Sequence, residues 1–514
     1  MISLRGIRPG AMQWALLALI LVAVLIRGVT IGQGTNVDEG DYLMQGREMA
    51  LGHWPHKDVH LNKPPLVSLI AYPFFLIWDI PIVPVRILMI GLSVSAIYAL
   101  YRIGALLFDQ QTGVLAATFL ALDPFAAIWA KPLHVSSLAP VLAVWALAAL
   151  LSGLRSGALA WLAASGVFTA LALLNKQTGV LLFPTLALAA WYAHAQWKDP
   201  PACSFRNRLA WAAGFLPPLL LFGLYLIALN AIEPFWYDVW TGNHRMSAAF
   251  DQSAAERWRE FFFIAIWNPW AWLLALGGIV WGVFRFNRAA WLLTAWLAIE
   301  WGVNLFALSH FWVHYTLVIM PPAFLLSAWL IRQIAGGLQR WAHFLYQREI
   351  ILGLVVIALL CIPYWGRANW AYPNLTLEEE RALASFIERH NDSPYLLCFA
   401  NSAFYFWTDS LVPPALRDGR EVRIPPFMNT AGRGYLDQAD MQATANHWRQ
   451  LDIDFGVMYG KYYRQIFVDR DPLLAPIREW LEEDFTFQQR LNYRPGYMGE
   501  LYCFEREEGD PSSS

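Results

Sequence analysis

The chain has 514 residues, 57% of them hydrophobic and 15% charged, with a mean hydropathy of +0.38, which excludes an ordinary soluble protein because folding in water would leave large apolar patches exposed. A net charge of −2 argues against nucleic acid as a partner. The four cysteines, Cys203, Cys361, Cys398 and Cys503, show neither a disulfide framework nor metal-ligand spacing, while 27 Trp and 20 Tyr suit the headgroup belts of a lipid bilayer.

In chain order, Arg5 and Arg8 precede a mostly apolar run from Ala11 to Val29. Its length, with no small-residue cleavage site after it, marks a retained span rather than a signal peptide. A span needs about 20 apolar residues. Runs of this kind lie at 11–30, 83–107, 113–130, 135–153, 158–174, 178–196, 209–229, 262–283, 290–308, 313–331 and 350–365. The segment 66–80 is shorter and carries Pro73, so it reads as a re-entrant or juxtamembrane piece. With it left out, the inside segments hold twelve Lys or Arg against three acids. The outer loops at 31–81, 123–134, 175–178 and 231–260 hold eight basic and twelve acidic residues. The positive-inside rule then predicts a polytopic α-helical membrane protein of about eleven transmembrane helices, with the N-terminus cytoplasmic and the C-terminus outside.

Residues 1–365 form the expected transmembrane domain, with a long first outer loop at 31–81. After Trp365 the pattern changes, and 366–514 reads as a small extracytoplasmic α/β domain. Thr376 to His390 predicts a helix opened by a Thr376/Glu379 capping box. Tyr395–Phe399 and Phe455–Tyr459 read as buried strands. Asp437–Leu451 and Pro472–Glu482 read as helices. Phe485–Asn492 and Tyr497–Glu505 predict a hairpin around Arg494-Pro495-Gly496. Cys398 and Cys503 fall on strands, where a disulfide and two reduced buried thiols are both open.

The first outer loop is dense in polar groups: Asn36-Val37-Asp38-Glu39-Gly40-Asp41-Tyr42, then Arg47, Glu48, His53, His56 and His60, then Asn62-Lys63-Pro64-Pro65-Leu66. Asp41 to Leu51 predicts a short helix lying on the membrane. A carboxylate at that surface can act as general base toward a sugar or protein hydroxyl. The plain alternative is a hydrated loop whose acids do nothing, but the compact acidic cluster with Lys63 downstream favours chemistry. Asp123, Lys131 and His134 surround the exit of the third span, and Lys176 sits in a tight turn as a snorkelling anchor or a phosphate ligand. The loop 231–260 offers Glu233, Tyr237, Asp238, His244 and Arg245. His310 and His314 are spaced to share one helical face, more as aromatic-belt neighbours than as zinc ligands. Cations beside acids at membrane depth suit a polyprenyl-phosphate lipid, with the cations on its phosphate and a carboxylate activating the acceptor. Lysines suffice for one phosphate, so neither a metal nor another cofactor is expected.

The order of these motifs resembles the GT-C superfamily of membrane glycosyltransferases. The likeness rests on the acidic pair, Lys63-Pro64-Pro65-Leu66, Leu173-Leu174-Asn175-Lys176-Gln177-Thr178-Gly179, the His310-to-Pro322 stretch and an outer α/β domain. Within GT-C the chain is similar to the protein O-mannosyltransferases and lipid A aminoarabinose transferases, over residues 11–332. The resemblance implies an inverting sugar transfer from a polyprenyl-phosphate donor on the outer face of the cytoplasmic membrane. It implies that Asp38 is the catalytic aspartate with Glu39 beside it, and that Lys63 contacts the donor phosphate. Lys131, Lys176 and Arg245 are the further candidate donor ligands, and His314 with Tyr315 would line the donor cavity. One departure stands out: relatives usually carry a second Asp before the fourth span, where this chain reads Ala130-Lys131-Pro132-Leu133-His134-Val135-Ser136-Ser137. Glu233 or Asp238 then serves instead, or the acceptor is handled differently, or the chain is an inactive relative. A transporter or lipid flippase, and a non-catalytic assembly scaffold, are the rival readings; no internal repeat supports transport.

Overall fold

The computed structural model describes residues 9–197, 204–244, 252–308, 310–339, 376–424, 438–491 and 501–506, with residues 354, 357, 358, 361 and 436. In chain order its helices are α1 (Pro9–Gly28), α2 (Val37–Ala50), α3 (Leu66–Phe75), α4 (Ile82–Leu107), α5 (Gln110–Leu122), α6 (Pro124–Ile128), α7 (Val135–Ser156), α8 (Leu159–Asn175), α9 (Leu182–Gln196) and α10 (Phe205–Ala228). There follow α11 (Ile232–Trp236), a π-helical turn at Tyr237–Gly242, α12 (Ala254–Ala265), α13 (Pro269–Phe284), α14 (Arg288–Gly302) and α15 (Thr316–Gln339). Among the described residues, six helical stretches are long and apolar enough to cross a membrane, and α12 with α13 passes the same test as a pair bent by 106°. Shorter apolar helices are Met12–Gly28, Leu66–Phe75 and Leu159–Asn175. The chain is thus a multi-pass α-helical membrane protein. The expected run at 350–365 lies almost wholly outside the described residues.

The chain divides into two compact units. The membrane unit comprises residues 1–31, 86–224 and 252–371. Two of its expected straight spans are broken. The run 113–130 stops at Asp123, whose carboxylate accepts from the backbone N–H of Ala126 at 2.9 Å and caps α6, with Pro124 at the first helical position. The break frees carbonyls at the end of α5. Arg27 takes them up, its Nη1 donating to Ala121 O at 3.0 Å and its Nη2 to Leu120 O at 2.9 Å. A backbone group without water needs such an internal partner. The run 262–283 bends between α12 and α13, where Asn268 caps α13 and its Nδ2 donates to Asp123 Oδ2 at 2.8 Å.

The loop unit comprises residues 32–85, 225–251 and 372–514. Its four-stranded sheet has the order β1-β4-β6-β5, built from Leu397–Phe399, Phe455–Tyr459, Leu501–Arg506 and Phe485–Leu491. β1 and β4 run parallel, and the other pairs are antiparallel. The hairpin is formed as expected; its connection at 492–500 lies outside the described residues. All five residues of β4 are buried, which fits a strand covered on both faces. α16 (Leu377–Glu388) begins with the capping box read from the sequence. α17 (Ala403–Trp407), α18 (Gln438–Gln450) and α20 (Ala475–Asp484) cover the sheet, with α19 (Gly460–Tyr463) after β4. Trp448 and Trp480 meet in the core with ring centroids 5.9 Å apart. The sequence reading did not foresee the hairpin of β2 (Pro414–Arg417) and β3 (Arg420–Arg423). Its turn residues Asp418 and Gly419 both have positive φ, 51° and 74°, the conformation that Asp-Gly supplies in tight hairpins.

Cys398 and Cys503 are free. Both stand opposite Val457 from either side of β4, so they are two strand spacings apart, about 9–10 Å, beyond disulfide reach. Burial pushes both thiols up to about 12.

The first loop is not separate from the C-terminal sheet. Met44 of α2 belongs to the same core as the sheet. The Thr35 backbone N–H donates to Glu380 Oε1 at 2.7 Å, and Asn401 Nδ2 donates to Thr35 Oγ1 at 2.8 Å. α2 passes α17 so closely that a Cβ on Gly40 would lie 2.0 Å from Asn401 Oδ1 and 2.9 Å from the Ala403 nitrogen. Only glycine fits there. Every residue from Glu39 to Met49 is buried. The expected surface helix is therefore a core element, and it begins at Val37 because Asn36 caps it.

Candidate active site

In the loop unit, Asn36 Oδ1 accepts from the Glu39 backbone N–H at 2.8 Å and fixes the first turn of α2. That turn carries Asp38 and Glu39, where the helix dipole favours negative charge. Asp38 is exposed, whereas Glu39 is buried. One turn on, Asp41 is buried as well. Its Oδ2 accepts from Gln45 Nε2 at 2.9 Å, and Gln45 Oε1 accepts from Ser68 Oγ at 2.6 Å. Among the described residues, Oδ1 of Asp41 has no hydrogen-bond partner. Burial, and then the charge of Asp38, push the Asp41 carboxyl up to about 8, so at neutral pH it is a neutral acid.

Lys63 is half-buried at the start of Lys63-Pro64-Pro65. Its Nζ donates to Asn243 Oδ1 at 3.1 Å. Burial draws the ammonium down to about 8, while Asp38 acts against that shift. The charge of Asp38 therefore acts on both Asp41 and Lys63, and these three side chains form one electrostatic group. Asn243 carried no signal in the sequence: it follows the π turn and is drawn in by tertiary contacts alone.

Asp238, a candidate substitute acid, is engaged elsewhere. Its Oδ1 lies 2.6 Å from Arg417 Nη1 and 2.8 Å from His60 Nδ1, and its Oδ2 lies 3.0 Å from His56 Nδ1. All four side chains are buried. Burial alone would raise Asp238, but His60, His56 and Arg417 hold it well below the usual carboxylate range. Burial lowers His60 despite the neighbouring carboxylate. Glu233 is exposed on α11, and Arg245 lies outside the described residues.

In the membrane unit, Lys131 is buried and its Nζ donates to Thr30 O at 3.0 Å. Lys176 ends α8 in an extended conformation and is buried. Its Nζ stands 3.7 Å from the centroid of the Tyr315 ring, a close cation–π contact. Tyr315 Oη and His310 Nε2 are 3.3 Å apart. The rings of His314 and His134 are 4.8 Å apart, and Trp129 is 5.1 Å from His314. His310 and His314 do not share an α-helical face: 310–312 is non-helical and Val313–Tyr315 is a 3-10 turn. The turn brings Lys176, His314 and Tyr315 into one aromatic and cationic cluster. Among the described residues, no three His, Cys, Asp or Glu side chains are arranged to hold a metal ion.

Residues 62–227 match the sequence model of the Dolichyl-phosphate-mannose-protein mannosyltransferase family. No functionally curated protein matches the chain by sequence. Among solved structures, the chain is similar to ArnT from Cupriavidus metallidurans bound to undecaprenyl phosphate, with a TM-score of 0.59 and 13% identity over 96% of this chain and 98% of that one. It is also similar to the archaeal oligosaccharyltransferase AglB from Archaeoglobus fulgidus, in complex with an inhibitory peptide and a dolichol-phosphate. There the TM-score is 0.55 and the identity 12%, over 95% of this chain and 74% of that one. At such identities the likeness is one of fold. In fold the chain is similar to these two proteins, and the family match over residues 62–227 agrees with the resemblance carried by its motifs.

Proposed function

We propose that the protein transfers a sugar from a polyprenyl-phosphate donor to a hydroxyl-bearing acceptor on the outer face of the cytoplasmic membrane. The observation that carries this reading is the electrostatic group in the loop unit. An exposed carboxylate, Asp38, stands at a helix N-terminus with its charge acting on the Lys63 ammonium. The similarity to structures that hold undecaprenyl phosphate and dolichol-phosphate supports the donor class.

In this reading the acceptor oxygen attacks the anomeric carbon from the face opposite the phosphate. The new C–O bond forms as the bond to the phosphate oxygen breaks, so the configuration inverts. Asp38 takes the acceptor proton as general base, with Glu39 beside it. The leaving polyprenyl phosphate gains negative charge, which Lys63 neutralises by a charge-assisted hydrogen bond. Lysine chemistry serves here without a metal. In the membrane unit, Lys176 on the Tyr315 ring, with Lys131 and His314, is given a role toward the donor lipid. Arg245 is given the same role from the 231–260 loop. Asp41 supplies the second carboxyl group near Asp38, in place of the acid missing before the fourth span.

Purified protein incubated with radiolabelled polyprenyl-phosphate sugars tests this directly. Sugar transfer or release, lost in Asp38→Asn, is the expected result. Counterflow of the intact lipid in liposomes without sugar release would point to a flippase and refute the transferase reading.

A further inference from the structure

Lys63 has four rotatable bonds and an ammonium group that holds no fixed direction by itself. Pro64 and Pro65 stiffen the backbone after it but not its side chain. The side-chain amide of Asn243 supplies the direction. Its Oδ1 accepts from Lys63 Nζ at 3.1 Å. Its Nδ2 donates to the Asn62 carbonyl and to Val239 O, the latter at 2.8 Å. One amide thus ties the ammonium, the backbone just before it, and the π turn Tyr237–Gly242.

That turn is itself fixed. π turns are rare and recur at functional sites. Here the second residue of the turn, Asp238, is held by His56 and His60 of the first loop and by Arg417 of β2. Arg417 also stacks on Tyr237, with its guanidinium carbon 4.7 Å from the ring centroid. Two rungs therefore join segment 60–63 to segment 238–243: His60 with Asp238, and Asn62 with Lys63 on Asn243. Every member belongs to the loop unit. The C-terminal hairpin enters through Arg417 of β2 and through Arg423 of β3, whose carbonyl accepts from the His60 backbone N–H at 3.2 Å.

We infer that Asn243 is a positioning residue for Lys63, and that Arg417 and Asp238 hold the π turn that presents it. This gives the C-terminal domain a part in donor binding, and it rests on the reading of Lys63 as a ligand of the donor phosphate. A neutral amide is the fitting partner. It orients the ammonium and leaves its charge for the phosphate, whereas an aspartate at 243 would neutralise it.

The test is a set of coupled variants of the full-length protein in detergent, titrated with undecaprenyl phosphate. Lys63→Met is expected to weaken binding at least about tenfold. Asn243→Ala is expected to weaken it about tenfold in the native background and to add nothing in the Lys63→Met background, since residues that act through one another are not additive. Arg417→Lys keeps a positive charge on Asp238 for folding but loses the planar fork. Its smaller loss should likewise vanish when Lys63 is absent. Equal losses for Asn243→Ala in both backgrounds mark a merely structural role and overturn the inference. So does native affinity in Asn243→Ala beside a weakened Lys63→Met. Native affinity in Lys63→Met itself removes the phosphate role and the inference together, a pattern distinct from either of the others.

Discussion

Asp38 and Asp238 are both acids of the loop unit, and their surroundings are opposite. Asp238 is buried, with Arg417, His56 and His60 within 3.0 Å of its two oxygens. Asp38 is exposed at the start of α2 and exerts its charge on a lysine and on a second carboxyl group. A buried carboxylate held on both oxygens by an arginine and two histidines is a structural tie. One that is accessible, with a cation nearby, remains available to a substrate. In the proposed reading this contrast assigns Asp238 to the framework and the chemistry to Asp38.

The contrast is sharpest in paired substitutions. Asp38→Asn should lower sugar transfer about a thousandfold, within the range of general-base catalysis, and leave the melting temperature unchanged. Asp238→Ala should act chiefly on stability, with only a modest loss of donor binding through the π turn. It strands Arg417 in the interior and is expected to cost about 3–5 kcal/mol of stability, measured by thermal unfolding in detergent. If Asp238→Ala melted like the native protein while losing all transfer, the structural and chemical roles would be exchanged.

Asp41 gives a pH test of intermediate size. Its folded value is raised to about 8 from an ordinary 3.8. The folded protein therefore holds a proton that the unfolded chain gives up. Stability from this group falls as pH rises from about 4 to about 8 and is level outside that window. Asp41→Asn, always neutral, should remove this slope and be the more stable form at pH 8 by an amount on the order of a few kcal/mol. Melting curves at pH 5 and pH 8 decide it; equal pH dependence in the two proteins would mean that Asp41 is not held protonated. The smallest expected effect is that of reductant. With Cys398 and Cys503 on either side of β4, dithiothreitol should leave the melting temperature where it was, and a shift would reveal a bridge.

The two units differ in how far their sequences disclose them. Helices of the membrane unit follow from length and apolarity, and α4, α7 and α10 lie close to where hydropathy puts them. Hydropathy is blind to single polar residues inside an apolar run, so the breaks at Asp123 and Asn268 went unread. Their satisfaction by Arg27 and by each other is a tertiary matter. In the loop unit, local signals such as the Thr376/Glu379 capping box and the fully apolar strand at 455–459 were legible. The Asp418-Gly419 turn carries an equally local signal for the β2–β3 hairpin. The burial of α2 is not legible, because Asp38 to Glu48 looks like a solvated face until Gln45 of the same helix takes up Asp41, and Asp409 and Arg423 from far along the chain take up Arg47 and Glu48. The same holds for the site: Asp38 and Lys63 stand out by type and order, whereas Asn243 becomes visible only when its amide is seen bridging Asn62 and Lys63.

The central claim is that Asp38 performs the chemistry while Lys63 holds the phosphate. The most direct measurement sets turnover beside binding in one variant: Asp38→Asn assayed for transfer from a radiolabelled polyprenyl-phosphate sugar and, in parallel, titrated with undecaprenyl phosphate. The account predicts that transfer disappears while the lipid phosphate binds at least as tightly as to the native protein, since a negative charge near Lys63 is gone. Transfer at the native rate, or a loss of phosphate binding in step with the loss of transfer, would contradict it.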